Sequence, residues 1–249
     1  MQHLFLADVH LGAFSEEENR QLEDEVISIV DYCSEYKIRL YILGDLFDYW
    51  MEYPHYKPDL GSGLLSRLRE FNQSDRVVTY ITGNHDNWTY GFFETLGFEV
   101  EADYKSININ GQKVLLHHGD GISERSFGLP RPLFHRLLRN DFFIKIYQHI
   151  FPPEAGLDLM KKFSLMSKEN PEIKPKRLNE WAEKFLRDSD YDITICGHDH
   201  IPRVETFPFG IYINTGAFFN TRTLASYNNG SFELVRWNSE ERHFYPYIA

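Results

Sequence analysis

The chain reads as an α/β sandwich with mixed sheets and an inserted helical cap. Three observations predict it: apolar runs of strand length that end in small or polar residues, helical patterns between the first three of those runs, and a shift to period-two hairpin patterning after Gly97. The runs at 4–7, 39–43 and 77–82 are the first buried strands. A helix over 16–36 sets Leu22, Val26, Ile29 and Val30 on one face, and a helix over 60–71 does the same with Leu64, Leu65 and Leu68, so βαβ units are predicted. Asn110-Gly111 signals a hairpin turn before the run at 113–116. After the run at 191–196, further hairpins cover 203–237 around Asn229-Gly230. The stretch 125–177 breaks this pattern with helical spacings such as Phe134, Leu137 and Leu138, and with prolines at 130, 132, 152, 153, 171 and 175, as an inserted cap would. One domain over 1–249 carrying this insertion accounts for the length.

With 42% hydrophobic and 25% charged residues, the chain can bury a sizeable core and is not of a disordered composition. Its net charge of −11 repels polyanions at long range, so nucleic acid is not an expected partner. The insertion differs, with eleven Lys or Arg against five Asp or Glu, where the rest of the chain has fifteen against thirty-two. Cys33 and Cys196 lie in apolar segments and are too few for a disulfide framework, which points to a reducing compartment. No apolar stretch approaches the about 18 residues of a membrane span. Residues 1–9 lack the charged and apolar regions of a signal peptide. A cytoplasmic chain is expected, its basic and apolar cap offering a surface for peripheral contact with the inner membrane.

Polar clusters follow the predicted strands: Asp8-Val9-His10, Gly44-Asp45-Leu46-Phe47-Asp48, Gly83-Asn84-His85-Asp86, His117-His118-Gly119-Asp120 and Gly197-His198-Asp199-His200. Carboxyl ends of strands in α/β sheets converge on one crevice, so residues distant in sequence meet there. Any one cluster alone is ordinary turn chemistry, or a turn with a satisfied histidine. All five in order gather His10, His85, His117, His118, His198 and His200 from a total of eleven histidines, which scattered surface histidines would not do. Imidazole, carboxylate and amide together suit manganese, iron, cobalt or zinc, and the absence of cysteine argues against a structural zinc. The clusters therefore predict a catalytic metal site.

This ordered set resembles the pattern of the calcineurin-like metallophosphoesterase superfamily: Asp-x-His, Gly-Asp, Gly-Asn-His-Asp, a later His, and Gly-His-x-His. The resemblance implies a four-layer α-β-β-α sandwich and a dinuclear centre. Asp8, His10, Asp45 and His200 would hold one ion and Asn84, His118 and His198 the other, Asp45 bridging and manganese being the first choice of metal. His118, which directly precedes Gly-Asp, is preferred over His117, left as a neighbour or packing residue. Two cations about 3.5 to 4 Å apart bind a phosphoryl oxygen and activate water. His85 would face the leaving oxygen as proton donor or transition-state stabiliser, and Asp86 would orient it. Asp48 either hydrogen-bonds a ligating histidine or caps a helix.

Within the superfamily the chain resembles the UDP-2,3-diacylglucosamine pyrophosphohydrolases of lipid A biosynthesis over nearly its whole length. The cues are the opening Leu-Phe-Leu-Ala-Asp-Val-His-Leu-Gly, the run from Tyr41 to Trp50, the His-Gly-Asp, the helical insertion and Ser167-Lys168-Glu169. The best-known members carry arginine in place of His85, and commonly arginine where this chain has Ile201. The resemblance implies conversion of UDP-2,3-diacylglucosamine to lipid X, which is 2,3-diacylglucosamine 1-phosphate, and UMP. A nucleotide–lipid substrate needs cationic and apolar surfaces together. Asn84, His85, Arg125, Ser167 and Lys168 are candidate substrate contacts, with Lys176 and Arg177 as further phosphate contacts. Phe134, Leu137, Phe142, Phe143, Ile146, Tyr147 and Phe151 are candidates for an acyl-lined cleft. Two other classes are a phosphomonoesterase, phosphodiesterase or protein phosphatase on the same scaffold, and a non-catalytic binding module, which a missing ligand would signal; none of the seven is missing.

Overall fold

The computed structural model describes residues 2–168 and 175–248, with side chains for all of these except 163–168 and 175. Strands β1 (His3–Leu6), β2 (Arg39–Ile42) and β3 (Thr79–Ile81) pair in parallel through crossovers that contain α1 (Glu16–Glu35) and α2 (Ser62–Asn72). After the short α3 (Phe92–Thr95), β4 (Glu99–Glu101) adds in parallel beside β3. The hairpin of β5 (Tyr104–Ile109) and β6 (Gln112–His117) opens a second sheet, and four helices follow: α4 (Leu133–Leu138), α5 (Asp141–Ile150), α6 (Pro153–Lys168) and α7 (Pro175–Asp188). Strands β7 (Ile193–Cys196), β8 (Arg203–Phe207) and β9 (Gly210–Asn214) complete that sheet. Beyond α8 (Phe218–Thr221), the chain returns to the first sheet as β10 (Thr223–Asn228), β11 (Ser231–Asn238) and β12 (His243–Pro246). The sheets run β12-β11-β10-β1-β2-β3-β4 and β5-β6-β7-β9-β8, each mixed in direction.

Side-chain alternation makes these strands into layers. Leu4 and Leu6 of β1, with Leu40 and Ile42 of β2, join the core under α1 and α2. Phe5, Tyr41, Val114, Leu116, Ile193 and Ile195 fill the space between the two sheets. Full burial of each such side chain contributes about 1.5–3 kcal/mol. On the second sheet's outer face, Leu178, Trp181, Ala182, Phe185 and Leu186 of α7 pack against Leu115, Cys196 and Tyr212. Helices thus cover both outer faces, as the four-layer expectation requires. Helix α1 starts on a reciprocal cap in which Ser15 and Glu18 satisfy each other's backbone N–H. The two predicted hairpin turns form at the predicted residues, Ile109 pairing with Gln112 and Asn228 with Ser231. Asn110, Gly111, Asn229 and Gly230 all have positive φ, the conformation a two-residue hairpin turn demands.

Helices α4, α5 and α6 fall within the predicted insertion and close over a small core of Met51, Tyr53, Trp88, Leu138, Ile144, Tyr147 and Met160. This divides the residues expected in an acyl cleft. Tyr147 is buried and Phe143 and Phe151 pack partly buried beside it, because their positions on α5 and its end face Met51 and Trp88. Phe134, Leu137, Phe142 and Ile146 are exposed. Trp88 Nε1 donates to the carbonyl of Leu138 at 2.6 Å, tying this helical cap to the loop after β3.

Candidate metal centre

The parallel strands β1, β2 and β3 and the parallel pair β6 and β7 deliver all five polar clusters to one edge, where the two sheets meet. Val9 and His10 N–H groups both donate to the Asp45 carbonyl, at 2.9 and 3.0 Å, which sets the first two loops side by side. Asp8, His10, Asp45, His198 and His200 all sit at positive φ, between 52° and 75°. Such backbone costs about 1–3 kcal/mol per residue and persists where function requires it. Two glycines make the approach of the carboxylates possible. A Cβ on Gly83 would lie 2.1 Å from Asp45 Oδ1, and one on Gly197 would lie 2.2 Å from Asp8 Oδ2.

The side chains converge as acceptors. Asp8, His10 and His200, then His10, Asp45 and His85, then Asp8, Asp45 and His118 form three overlapping groups whose ligand atoms lie within 4.8 Å of one another. His10 Nε2 is 3.6 Å from Asp45 Oδ2, His118 Nε2 is 3.3 Å from the same oxygen, and His200 Nε2 is 3.5 Å from Asp8 Oδ1. Asn84 Oδ1 stands 3.0 Å from His118 Nε2. His198 donates its backbone N–H to Asp8 Oδ2 at 2.7 Å, and its ring meets that of His118 edge-on at 5.0 Å. Asp8 Oδ1 and His10 Nε2 are buried with no hydrogen-bond partner. Orphaned acceptors facing one another are costly unless a cation satisfies them. The donor set of Asp8, His10, Asp45, His118 and His200 therefore fits divalent metal ions, with Asn84 and the His198 ring beside His118.

Neighbouring groups prepare the ligand atoms. Asp48 accepts from His10 Nδ1 at 3.2 Å, the first of its two expected roles, which leaves Nε2 toward the carboxylates. Likewise His118 Nδ1 donates to the Leu43 carbonyl at 2.9 Å. Burial alone would raise Asp45, but the imidazoles of His118, His85 and His10 hold it well below the usual carboxylate range. Burial lowers His10, and it pushes His198, beside His118, down to about 3. For His118 burial works the same way and loses: the Asp45 and Asp8 carboxylates push it up to about 10, so it carries the balancing charge. Ionised carboxylates beside the neutral imidazoles of His10 and His198 are protonation states that coordination needs, and His118 would release its proton to a cation. His117 turns away, donating to or accepting from Thr194 Oγ1 at 3.2 Å and packing edge-on against Trp181 at 5.0 Å, with burial pushing it down to about 3.

His85 Nδ1 donates to the Asp48 carbonyl at 2.6 Å, leaving Nε2 for a substrate. Asp86 departs from its expected role. One of its oxygens accepts from Gly83 N at 2.7 Å, the other from Leu46 N at 2.8 Å and from Tyr80 Oη, so it braces the loop backbones, and the carboxylate that faces the His85 ring is Asp48, 3.5 Å away. Arg125 is exposed in a short 3-10 turn, Arg125–Phe127. Ser167 and Lys168 end α6, and their side chains lie outside the described residues.

Sequence reasoning missed the link between the cap and this centre. Asp120, fully buried, pairs with Arg131 Nε and Arg139 Nη2, both at 3.3 Å, and faces His135 Nδ1 at 3.7 Å. Arg139 also donates to the Gly83 carbonyl at 2.8 Å and the Ala102 carbonyl at 2.6 Å. The four-residue spacing of His135 and Arg139, one turn apart at α4, was the available signal. Burial opposes ionisation of Asp120, yet Arg139, His118 and Arg131 hold it well below the usual carboxylate range. Its stabilisation is thus complete above the ordinary Asp pKa of about 3.9 and is lost as pH falls below that value. Asp120→Asn is expected to cost about 3–5 kcal/mol by leaving buried guanidinium groups uncompensated, read as a lowered denaturant midpoint. A midpoint equal to wild type would show that the arginines are solvated instead.

Comparison with known proteins places the chain in a family. Residues 1–202 match the model of the calcineurin-like phosphoesterase family. Among curated proteins, a UDP-2,3-diacylglucosamine hydrolase of Porphyromonas gingivalis is 26% identical over 218 residues, covering 79% of this chain and 82% of the relative. One of Histophilus somni is 25% identical over 215 residues, covering 82% and 86%. Among solved structures, the phosphoesterase Yfce of E. coli aligns over 98% of this chain and 96% of its own, with a TM-score of 0.49 and 17% identity. With the ordered motifs gathered into one acceptor-rich centre and the family model spanning most of its length, the chain belongs to the calcineurin-like phosphoesterase family, whose members use divalent metals, and is a hydrolase of phosphoester or diphosphate bonds.

Proposed function

We propose that the chain hydrolyses the diphosphate of UDP-2,3-diacylglucosamine, releasing UMP and 2,3-diacylglucosamine 1-phosphate. The observation that carries this reading is the apolar face of the cap: Leu133 is 80% exposed, Phe142 73% and Ile150 61%. An acylated substrate covers such a surface, whereas a small phosphoester has no use for it. Relatives that bear the name of this activity match most of the chain. We assign Asp8, His10, Asp45 and His200 to one divalent cation and Asn84, His118 and His198 to a second, Asp45 serving both and manganese being the ion of choice. When bound, the cations supply polarisation of a phosphoryl oxygen and activation of water. Water adds to one phosphorus, the bridging oxygen departs with the other phosphoryl group, and two monophosphates form. His85, held through Nδ1 by Asp48, donates from Nε2 to the departing oxygen. Asn84, Arg125, Ser167 and Lys168 complete the substrate contacts. The chain is read as one domain over 1–249 with the cap inserted at 125–177, acting in the cytoplasm with the cap against the membrane surface; no helix among the described residues is long and apolar enough to cross a membrane.

The test is hydrolysis by manganese-loaded protein of UDP-2,3-diacylglucosamine against p-nitrophenyl phosphate esters, on wild type and two cap variants. Phe142→Ser is expected to lower kcat/KM for the diacyl substrate by roughly tenfold relative to the esters, with no change in Tm, since an exposed aromatic contributes only when substrate covers it. Phe143→Ala, which opens the small core of the cap, should lower Tm and both activities together. If Phe142→Ser lowers both activities in parallel, the apolar face has no part in substrate choice.

A further inference from the structure

We infer that the cleft between the 122–131 segment and α4 is a subsite for a second phosphoryl group, the one remote from the phosphorus under attack. The inference rests on the hydrolase reading above and deepens it by naming the residues that select a diphosphate over a monoester. The cleft encloses about 670 Å³ and is lined by Arg125, Arg131, Arg136 and Arg139, together with Ser123, Glu124 and Asn140.

The four guanidinium groups fall into two pairs. Arg131 is buried, Arg139 is half-buried, and both are committed: Arg131 spans Asp120, Asp103 and Ser123, and Arg139 spans Asp120 and the carbonyls of Thr82, Gly83 and Ala102. Their charges are offset by Asp103 and Asp120, so their part is to hold the wall in place. Arg125 and Arg136 are exposed and have no ion-pair partner among the described residues. Glu124, the acidic residue of the lining, accepts from the backbone and hydroxyl of Ser126, at 3.2 and 2.9 Å. The cleft is therefore left with two free guanidinium groups against one carboxylate, inside a chain of net charge −11. A guanidinium fork matches phosphoryl oxygens in geometry as well as charge.

Position ties this cleft to the loops of the metal centre. Arg139 lines it and also donates to the carbonyl of Gly83, the residue before Asn84. Asp120, which pairs with both committed arginines, stands two residues after His118. One wall is thus built on the same turns that carry two candidate metal ligands. On α4 the basic Arg136 stands between the exposed Leu133 and Leu137, so a molecule carrying both phosphoryl groups and acyl chains meets both kinds of surface on one helix. A phosphomonoester reaches the metals and leaves the arginines unused.

The test uses manganese-loaded full-length protein and the variants Arg125→Gln, Arg136→Gln and the double variant. Titration calorimetry with inorganic phosphate should count two phosphates per wild-type chain and one per double-variant chain. One phosphate in both, or two in both, would overturn the inference. Kinetics separate a substrate subsite from a site for free phosphate. For UDP-2,3-diacylglucosamine the KM should rise about tenfold in each single variant with kcat within about twofold, and Arg136→Lys should recover part of the loss. For bis(p-nitrophenyl) phosphate, which has a single phosphorus, the shift should be at least about tenfold smaller. Equal shifts on both substrates, or loss of the second phosphate with no shift on either, would overturn the assignment to substrate. If wild type hydrolyses the nitrophenyl ester and leaves the nucleotide–lipid intact, the proposed substrate fails, and the phosphate count still decides the cleft.

Discussion

Asp45→Asn is expected to lower hydrolysis on the order of 10³-fold, well beyond the roughly 10- to 100-fold that loss of a group behind a metal ligand costs. The reason is its geometry. Asp45 Oδ2 lies 3.6 Å from His10 Nε2 and 3.3 Å from His118 Nε2, one histidine from each proposed ligand set, within reach of both, as a shared ligand would have to be. Asp45 Oδ1 accepts from the backbone N–H of His85 at 2.9 Å, so the same side chain positions the proposed proton donor. Asparagine keeps the shape and removes the charge on which two imidazoles depend. Asp48→Asn removes the charge beside His10 Nδ1 and the His85 ring, neither of which makes it a shared ligand, and should fall in the smaller range. Chelation of divalent metal should abolish activity in wild type, and manganese should restore it. Rates at saturating manganese together with metal content settle the matter: an Asp45→Asn protein as active as wild type would end the shared-ligand assignment.

His85→Ala and His118→Ala are expected to fail in opposite ways. His85 is anchored through Nδ1 to the Asp48 carbonyl and its ring packs edge-on against His10 at 4.8 Å, so its removal should leave metal content near wild type and lower kcat by about 10²- to 10⁴-fold, the usual worth of a positioned proton donor. His118 is fully enclosed between the Leu43 carbonyl, Asn84 and Asp45, and its loss should empty one metal position. His117→Ala should lower stability and keep metal, since its ring packs on Trp181 and Thr194. Elemental analysis beside single-turnover rates separates these cases. Metal loss in His85→Ala or His117→Ala, with retention in His118→Ala, would reverse the assignment. His85→Arg should keep more activity on the diphosphate substrate than His85→Ala, because a guanidinium still stabilises developing negative charge.

The first three strands, β6 and β7, the helices α1 and α2, both hairpin turns and the gathering of Asp8, His10, Asp45, His118 and His200 were legible in the linear chain. Each depends on interactions that are local or periodic: alternation in β1 and β2, one-face spacing in α1, positive φ at Asn-Gly, and polar clusters at strand ends that parallel pairing must bring to one edge. Three features were decided only in tertiary space. Asp86 stands next to His85 in sequence, yet neighbours along a turn point apart, and its carboxylate is drawn to the unpaired N–H groups of Gly83 and Leu46. Phe142 and Phe143 are adjacent and chemically alike, yet helix rotation of about 100° between them puts one in solvent and the other against the small core of the cap. No motif in the linear chain singled out Arg139, and it became the tie between cap and centre because buried Asp120 and the carbonyls of Gly83 and Ala102 need a donor there. Periodicity and motif spacing encode which face a residue takes on its own element; which partner that face meets depends on elements distant in sequence, and there the burial of unpaired polar groups chooses the contact.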